Sequence, residues 1–145
     1  CKKLGIKMVF NVGRGGKVQS SSWMIRDVSR NFLRSVRPWG EFYGWDEGKQ
    51  WKLKTLYIKP GKRLSLQYHR HRAELWVLVR GDATATIEAN GKTHRSKLIL
   101  GQLFAVPAHA LHRLESKRGA AIVEIALGAF DESDIVRVKD DHGRA

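Results

Sequence analysis

Apolar and polar residues alternate with a period of two over most of the chain after Pro38, which predicts strands rather than helices. Short stretches rich in Val, Ile, Leu and Thr are separated by turn residues, and Asn90-Gly91 is typical of a tight hairpin. No helical pattern of about ten residues lies between these stretches, so a parallel α/β sheet is not expected. The pattern predicts an all-β sandwich or jelly-roll barrel, with strands at residues 51–59, 64–69, 74–80, 83–89, 92–99, 103–106, 111–115 and 120–127.

The N-terminal part of the chain has a different composition. Residues 1–22 contain several glycines and end in a serine run, which is typical of a flexible linker. After the candidate N-cap Ser22, apolar residues recur near helical spacing, with arginines on another face, and predict a short amphipathic helix: Ile25, Val28, Phe32 and Val36. We therefore predict a basic linker and helix at 1–36 and a β domain at 37–145. The helix is expected to pack on the β domain or on a partner subunit, and a remnant of an organelle-targeting peptide is the alternative.

Length and charge narrow the class of protein. The 145 residues suit one domain, and no apolar run reaches the roughly 20 residues needed to cross a bilayer, so no membrane partner is expected. The lone Cys1 cannot form an internal disulfide, which suits the reducing cytoplasm. Of the net charge of +13, residues 1–36 carry eight Lys or Arg and one Asp, or +7. Because no aromatic-basic stacking motif accompanies it, this charge distribution indicates a solvated tail rather than a nucleic-acid site. A basic cavity that binds a sugar phosphate would also explain part of the positive charge.

Residues 61–81 carry several side chains that could bind a metal ion. Gln67, His69 and His71 alternate, and Glu74 follows. In a strand, the three alternating side chains would project from the same face. This face therefore offers several donor atoms.

Residues 101–112 form a second such stretch. A short apolar strand ends at Pro107, and His112 adds another imidazole. The two stretches together suggest a metal site inside a small β-barrel. Otherwise these polar groups would be ordinary barrel-lining residues that are satisfied by hydrogen bonds.

The two stretches resemble the two sequence motifs of cupins. The first motif is Gly, five residues, His-x-His, three or four residues, Glu, six residues, Gly. The chain keeps each of these spacings, with a glutamine in place of the first histidine: Gly61, Gln67, His69, Glu74 and Gly81. The second is Gly, five residues, Pro-x-Gly, two residues, His, three residues, Asn, and here the spacing also holds: Gly101, Pro107, His109, His112 and Ser116. His109 and Ser116 depart from the motif's residue types.

The resemblance implies four metal ligands: Gln67, His69, Glu74 and His112. Pairing His69 with His71 instead would leave one residue too few before Glu74, so His71 is expected beside the metal shell. Mixed amide, imidazole and carboxylate donors favour a borderline divalent ion, with Zn²⁺ as the first choice and Mn²⁺, Co²⁺, Ni²⁺ or Fe²⁺ as alternatives.

Further segments resemble the cupin domain of type II mannose-6-phosphate isomerases over about residues 36–144. They are RPWG (37–40), IKPG (58–61), the two motif strands and DIVRVKDDHGR (134–144). In that family the domain usually follows a mannose-1-phosphate guanylyltransferase domain, for which this chain has no room, so the resemblance implies the isomerase half alone. Arg70 and Leu75 stand where the family commonly has histidines, and His142 where it has tyrosine.

The resemblance implies a metal-dependent isomerase of GDP-mannose biosynthesis that interconverts mannose 6-phosphate and fructose 6-phosphate through an enediolate. His71 is the first candidate for the general base, before Lys54 and Glu124. Arg72 and Arg137 are the best candidates for the phosphate, with Lys52 behind them. A phosphosugar is the expected ligand, and the cupin domain is expected to form a homodimer.

Other functions remain open at this point. The first alternative is a non-catalytic cupin that binds a sugar or a sugar nucleotide. A metal-dependent oxygenase would consume oxygen and require ferrous iron. Nucleic-acid binding through the tail would weaken steeply with salt. A different phosphosugar would also fit, since Arg70 interrupts the family's histidine run.

Overall fold

The computed structural model describes residues 33–89, 91–129 and 132–143, and strands make up most of this part of the chain. The strands are β1 (Leu33–Arg37), β2 (Gly40–Gly48), β3 (Trp51–Ile58), β4 (Lys62–Arg63), β5 (Leu66–His69), β6 (Arg72–Gly81), β7 (Thr84–Ala89), β8 (Lys92–Lys97), β9 (Leu103–Val106), β10 (Leu111–Ser116), β11 (Ala120–Gly128) and β12 (Ile135–Lys139). A short 3-10 turn, Glu132–Asp134, precedes β12. Within the described residues, no helix has the length and apolar character that a bilayer crossing requires.

The strands form two antiparallel sheets. The first has the order β1-β2-β3-β11-β6-β9, and the second has the order β12-β5-β10-β7-β8, with β4 paired to β10. All eight predicted strands are present, which confirms the all-β barrel, and β7 and β8 pair with Ala89 opposite Lys92 as a tight hairpin requires. Strands β1, β2, β4 and β12 were not predicted. Because β1 and β12 are edge strands of different sheets, each pairs on one side only.

The predicted helix does not extend to Val36. This residue lies in β1, where it pairs with Glu41 of β2. The two-residue turn at Pro38-Trp39 joins these strands, and burial of Trp39, which is 6% exposed, anchors the hairpin in the core. Ladder bonds and this anchor therefore override the helical spacing of the apolar residues. The rest of the predicted helix and the linker lie outside the described residues, and the domain boundary at residue 36 stays a prediction.

The core lies between the two sheets and changes in character along the inner faces. Trp76, Leu114 and Ile122 are fully buried and fill the apolar part. On β3, β6 and β11, the same inward-facing alternation continues into buried polar side chains: Lys54, Arg72, Glu74 and Glu124. Since an unpaired buried charge costs several kcal/mol, such a cluster in a small barrel indicates a functional interior.

Replacing Gly81 by alanine is expected to destabilise the fold more than replacing Gly61. Both residues adopt a left-handed backbone, with φ of +83° and +69°, which costs an L-residue about 1 to 2 kcal/mol. A Cβ at Gly81 would also lie 2.0 Å from the backbone oxygen of Gly119, whereas a Cβ at Gly61 meets nothing within 4 Å. Urea unfolding should show a loss of about 1 kcal/mol for Gly61→Ala and at least about 3 kcal/mol for Gly81→Ala. Equal losses would contradict the close approach at Gly81.

Candidate metal centre

Three side chains from both sheets converge in the barrel interior. His69 ends β5 and His112 lies near the start of β10 in the second sheet, whereas Glu74 lies on β6 in the first sheet. One ligand atom of each residue lies within 4.8 Å of the others, and the residues are 1%, 2% and 3% exposed, respectively. The structure therefore brings together three of the four predicted ligands.

The Glu74 carboxylate is held in its charged form. Its Oε1 lies 2.9 Å from His69 Nε2, and its Oε2 accepts a hydrogen bond of 3.1 Å from Trp76 Nε1. Burial by itself raises the pKa of Glu74, but the hydrogen bond from His69 and the charges of His112, His69 and Arg72 lower it to about 2. Glu74 is thus an ionised acceptor at neutral pH.

His112 presents an unprotonated nitrogen to this carboxylate. Its Nδ1 donates to the carbonyl oxygen of Ala110 at 2.8 Å, which leaves the lone pair of the neutral ring on Nε2. Burial lowers the pKa of His112 and favours the neutral form. Nε2 lies 3.6 Å from Glu74 Oε2 and has no hydrogen-bond partner among the described residues. Two acceptors that face each other in a buried site fit a cation, so the donor set suits a divalent metal ion.

Gln67 lies beside this cluster. It is the register partner of His112 across the β5–β10 ladder, and it lines the same cavity as Glu74. Its Oε1 accepts a hydrogen bond of 2.7 Å from Ser65 Oγ. Its role as a fourth ligand stays a prediction.

His71 does not lie with the cluster. Strand β5 ends at His69, so the alternation that was expected to carry His71 onto the ligand face stops, and His71 is exposed in the turn before β6. The carboxylate of Asp134 binds this turn, because it accepts hydrogen bonds from the backbone N–H groups of Arg70 at 3.1 Å and His71 at 3.2 Å. The turn thereby fixes the spacing between His69 and Glu74.

Replacing Asp134 by alanine is expected to destabilise the protein by about 2 kcal/mol at neutral pH and to weaken metal binding, because two charge-assisted hydrogen bonds are lost. Burial raises the pKa of Asp134, but the bonds from His71 and Arg70 lower it below its usual 3.8. The stabilisation is therefore complete above about pH 4 and is lost as the pH falls through the folded-state pKa. Urea unfolding at several pH values, together with a metal titration, measures both effects.

Asp82 offers a matched control for this experiment. Its carboxylate accepts the backbone N–H groups of Lys117 and Arg118 in another turn. Asp82→Ala should leave the metal affinity unchanged. Equal metal affinities for Asp134→Ala and the wild type would contradict the positioning role of Asp134.

A cavity of about 80 Å³ adjoins the cluster. Lys54 and Glu124, which are register partners on β3 and β11, line it and form a buried ion pair of 3.3 Å between Nζ and Oε1. Burial and the nearby charge of Glu74 raise the pKa of Glu124, against the opposing effect of Lys54. Two of the three predicted acid-base residues thus lie together at the site.

The three predicted phosphate ligands occupy different positions. Arg72 is buried and lies beside the cluster, with its Nε 3.8 Å from Glu74 Oε1. Arg137 lines the cavity from β12, and its buried Nε has no hydrogen-bond partner among the described residues. Lys52 forms an ion pair of 2.7 Å with Glu47 and does not line this cavity. A larger groove of about 620 Å³ lies elsewhere, between residues such as Arg80 and Arg118, and includes none of the predicted site residues.

Sequence reasoning assigned no role to Arg37 or Asp134. Arg37 lines the cavity from the end of β1, and its only signal was its place in RPWG.

The two departures in the second motif have local explanations. His109 keeps the left-handed backbone of the usual glycine, with φ of 65°, and its N–H donates to His69 O at 2.7 Å. Ser116 Oγ accepts the N–H of Gly119 at 2.8 Å and closes the next turn.

The two-sheet barrel and its buried histidine-carboxylate cluster define the protein as a cupin. The chain matches the family described as "Mannose-6-phosphate isomerase C-terminal" over residues 25–140, and it belongs to that family. This match confirms the resemblance to the cupin domain of type II mannose-6-phosphate isomerases, which was inferred from the two motif strands and the segments RPWG, IKPG and DIVRVKDDHGR.

Curated relatives agree with this assignment. The alginate biosynthesis protein AlgA of Pseudomonas aeruginosa is 38% identical over 148 residues, which cover 95% of this chain and 30% of the relative. A mannose-1-phosphate guanylyltransferase of Escherichia coli K12 is 38% identical over 113 residues, which cover 74% of this chain and 22% of the relative. The chain thus spans less than a third of these curated relatives.

Among solved structures, oxalate decarboxylase from Bacillus subtilis has a TM-score of 0.67 at 18% identity, covering 75% of this chain and 30% of that one. The capsular polysaccharide assembling protein CapF of Staphylococcus aureus has a TM-score of 0.66 at 15% identity, covering 75% of this chain and 33% of that one. At these identities the likeness shows the fold alone.

Proposed function

We propose that this cupin is a metal-dependent isomerase that interconverts mannose 6-phosphate and fructose 6-phosphate. The observation that carries the proposal is the buried cluster of His69, Glu74 and His112 beside the Lys54–Glu124 pair, in a chain of the mannose-6-phosphate isomerase C-terminal family. Metal ligands and a buried acid-base pair in one interior are what an aldose-ketose isomerisation requires. A homodimer and a cytoplasmic location stay predictions.

The charge of the cavity supports an anionic substrate. Four cationic side chains line it against two carboxylates, which leaves an excess of two positive charges before any metal ion is counted: Arg37, Lys54, Arg72 and Arg137 against Glu74 and Glu124. A phosphate monoester carries close to two negative charges at neutral pH. A phosphosugar therefore balances the excess positive charge that lines this cavity.

We propose that the substrate enters between the edge strands β1 and β12. The cavity volume of about 80 Å³ equals the share of only about three water molecules in the liquid, so it holds part of a hexose phosphate. Strands β1 and β12 carry cavity-lining residues and are not paired with each other. Their separation would widen the site without breaking a ladder, and their return would exclude water from the reaction.

The metal ion and the protein residues divide the chemistry. His69, Glu74 and His112 would hold a divalent ion, which would supply Lewis-acid polarisation of the sugar carbonyl. Glu124 is the preferred acid-base group, because its raised pKa brings it closer to neutrality. As a carboxylate it takes the proton from C2, the C–H electron pair forms the C1–C2 double bond, and the C1 carbonyl pair moves onto O1. The resulting acid returns the proton to C1 while O2 forms the C2 carbonyl and its hydroxyl proton passes to O1. Lys54 holds the carboxylate through its ion pair of 3.3 Å, whereas the exposure of His71 disfavours it as the base.

A coupled assay tests the proposal. Purified protein is treated with a chelator and then supplied with Zn²⁺, Mn²⁺, Co²⁺, Ni²⁺ or Fe²⁺, and formation of fructose 6-phosphate from mannose 6-phosphate is followed. We expect no turnover after chelation and restored turnover with at least one metal. A folded, metal-loaded protein without turnover would contradict the proposal and favour another phosphosugar or a binding-only cupin.

A further inference from the structure

We infer that Arg37 is a second phosphate-binding residue, and that it forms with Arg137 a clamp for the phosphoryl group of the substrate. The inference rests on the proposed function for the identity of the sugar but not for the anion site itself. Its basis is the juxtaposition of two guanidinium groups, on edge strands of different sheets, at one cavity.

Both arginines have unused hydrogen-bonding capacity. Among the described residues, neither Arg37 nor Arg137 forms an ion pair with a carboxylate, and Arg137 Nε is buried without a hydrogen-bond partner. The two carboxylates that line the cavity are engaged elsewhere, since Glu74 contacts His69 and Glu124 contacts Lys54. Both residues are half-buried, and guanidinium groups without an acid at a cavity favour an external anion, whose phosphate oxygens their planar forks match.

The hairpin between β1 and β2 fixes the position of Arg37. Arg37 pairs with Gly40 across the two-residue turn, and the intervening Trp39 is buried in the core. The guanidinium carbon of Arg37 lies 5.5 Å from the centre of the Phe42 ring, which also lies 5.3 Å from Lys54 Nζ. A cation-π contact holds each cation toward the cavity without neutralising its charge. Arg37 is therefore anchored while its N–H groups stay available to a ligand.

The clamp would also select the substrate and orient it. Arg72 is drawn to Glu74 at the metal cluster, and Lys52 is paired with Glu47 outside the cavity, so Arg37 is the additional cation available to Arg137. A phosphoryl group held between β1 and β12 lies on the side where the two sheets end. Its binding would bring the two edge strands together over the sugar. Unphosphorylated mannose lacks the phosphoryl group and therefore could not bring the two edge strands together.

Binding of inorganic phosphate to the full chain in the presence of a chelator tests the clamp directly, because metal-bound phosphate is then excluded. We expect Arg37→Gln to weaken phosphate binding by about 10- to 100-fold, and Arg37→Lys to weaken it less, since the charge is kept and the fork is lost. The matched control is Arg34→Gln on the same strand, where Arg34 is exposed and paired with Glu41. Arg34→Gln should change the affinity less than about twofold.

Kinetics with mannose 6-phosphate separates this inference from the proposed function. If the wild type turns over, Arg37→Gln should raise KM much more than it lowers kcat. Phosphate affinity and KM that are unchanged in a folded Arg37→Gln protein would overturn the clamp while leaving the isomerase intact. Arg37-dependent phosphate binding in a protein without turnover would support the clamp and overturn the isomerase. Should Arg37→Gln fail to fold, unchanged phosphate binding by Arg37→Lys would overturn the clamp.

Discussion

Replacing His112 by alanine is expected to abolish isomerase turnover and to weaken binding of a divalent ion by more than about 100-fold. The substitution removes Nε2, the buried acceptor that faces the Glu74 carboxylate and finds no hydrogen-bond partner among the described residues. It also removes the ring whose orientation Ala110 O fixes. The metal content after dialysis and the absorption spectrum of the Co²⁺-loaded protein measure binding independently of activity.

The control for this experiment is His94→Ala. His94 is exposed on β8 and pairs with Ile87 in the ladder, so its loss should affect neither metal binding nor turnover. A folded His112→Ala protein that retains stoichiometric metal would show that the ion is bound by other residues. Retained turnover in that variant would remove the metal cluster from the mechanism.

Replacing Glu124 by glutamine is expected to lower kcat by about 100- to 10,000-fold with a smaller effect on KM. The amide keeps the shape and the contact with Lys54 but cannot take the C2 proton. Because burial and the charge of Glu74 raise the pKa of Glu124, the carboxylate predominates only at a pH above the ordinary glutamate range. The wild-type kcat/KM should therefore rise with pH through this raised pKa, and Glu124→Gln should lose that rise.

Two further variants make the Glu124 result interpretable. Glu47→Gln removes an exposed carboxylate that pairs with Lys52 outside the cavity, and it should leave the rate and the pH profile unchanged. Glu124→Asp keeps the carboxylate but withdraws it by one methylene, so partial activity with the acid limb retained is expected. A Glu124→Gln protein with wild-type kcat would assign the proton transfer to another group.

Local patterns in the chain were enough to predict most strands and the pairing of His69 with Glu74. Alternation of apolar residues between turn signals is a short-range property, so eight strands could be placed without knowing what they pack against. The spacing of Glu74 from His69 is similarly local, because one turn joins β5 to β6. The convergence of His112 with them could be inferred only through the resemblance to cupins, since its strand lies about 40 residues further on.

Predictions failed where a tertiary contact overrides a local pattern. Apolar spacing up to Val36 predicts a helix, but pairing with β2 and the burial of Trp39 make residues 33–37 a strand. Alternation predicts that His71 shares a face with His69, but the chain leaves β5 at His69 and turns, held by Asp134 from about 60 residues away. The contact between the Asp134 carboxylate and this turn therefore could not be predicted from the motif alone.

The chain's amino-acid pattern by itself determined the all-β class, the hairpin at residues 89–92 and the presence of candidate metal ligands at cupin spacing. Only the tertiary structure decided which charges face the interior. Lys52 and Lys54 are two residues apart on one strand, yet Lys54 meets Glu124 at the cavity while Lys52 meets Glu47 outside it. Arg37 reaches the same cavity from β1, the edge strand two positions from β3 in the same sheet. The physical reason is that alternation fixes the face of a residue, whereas its position along and across the sheets depends on strand register and sheet packing, which are set by distant contacts.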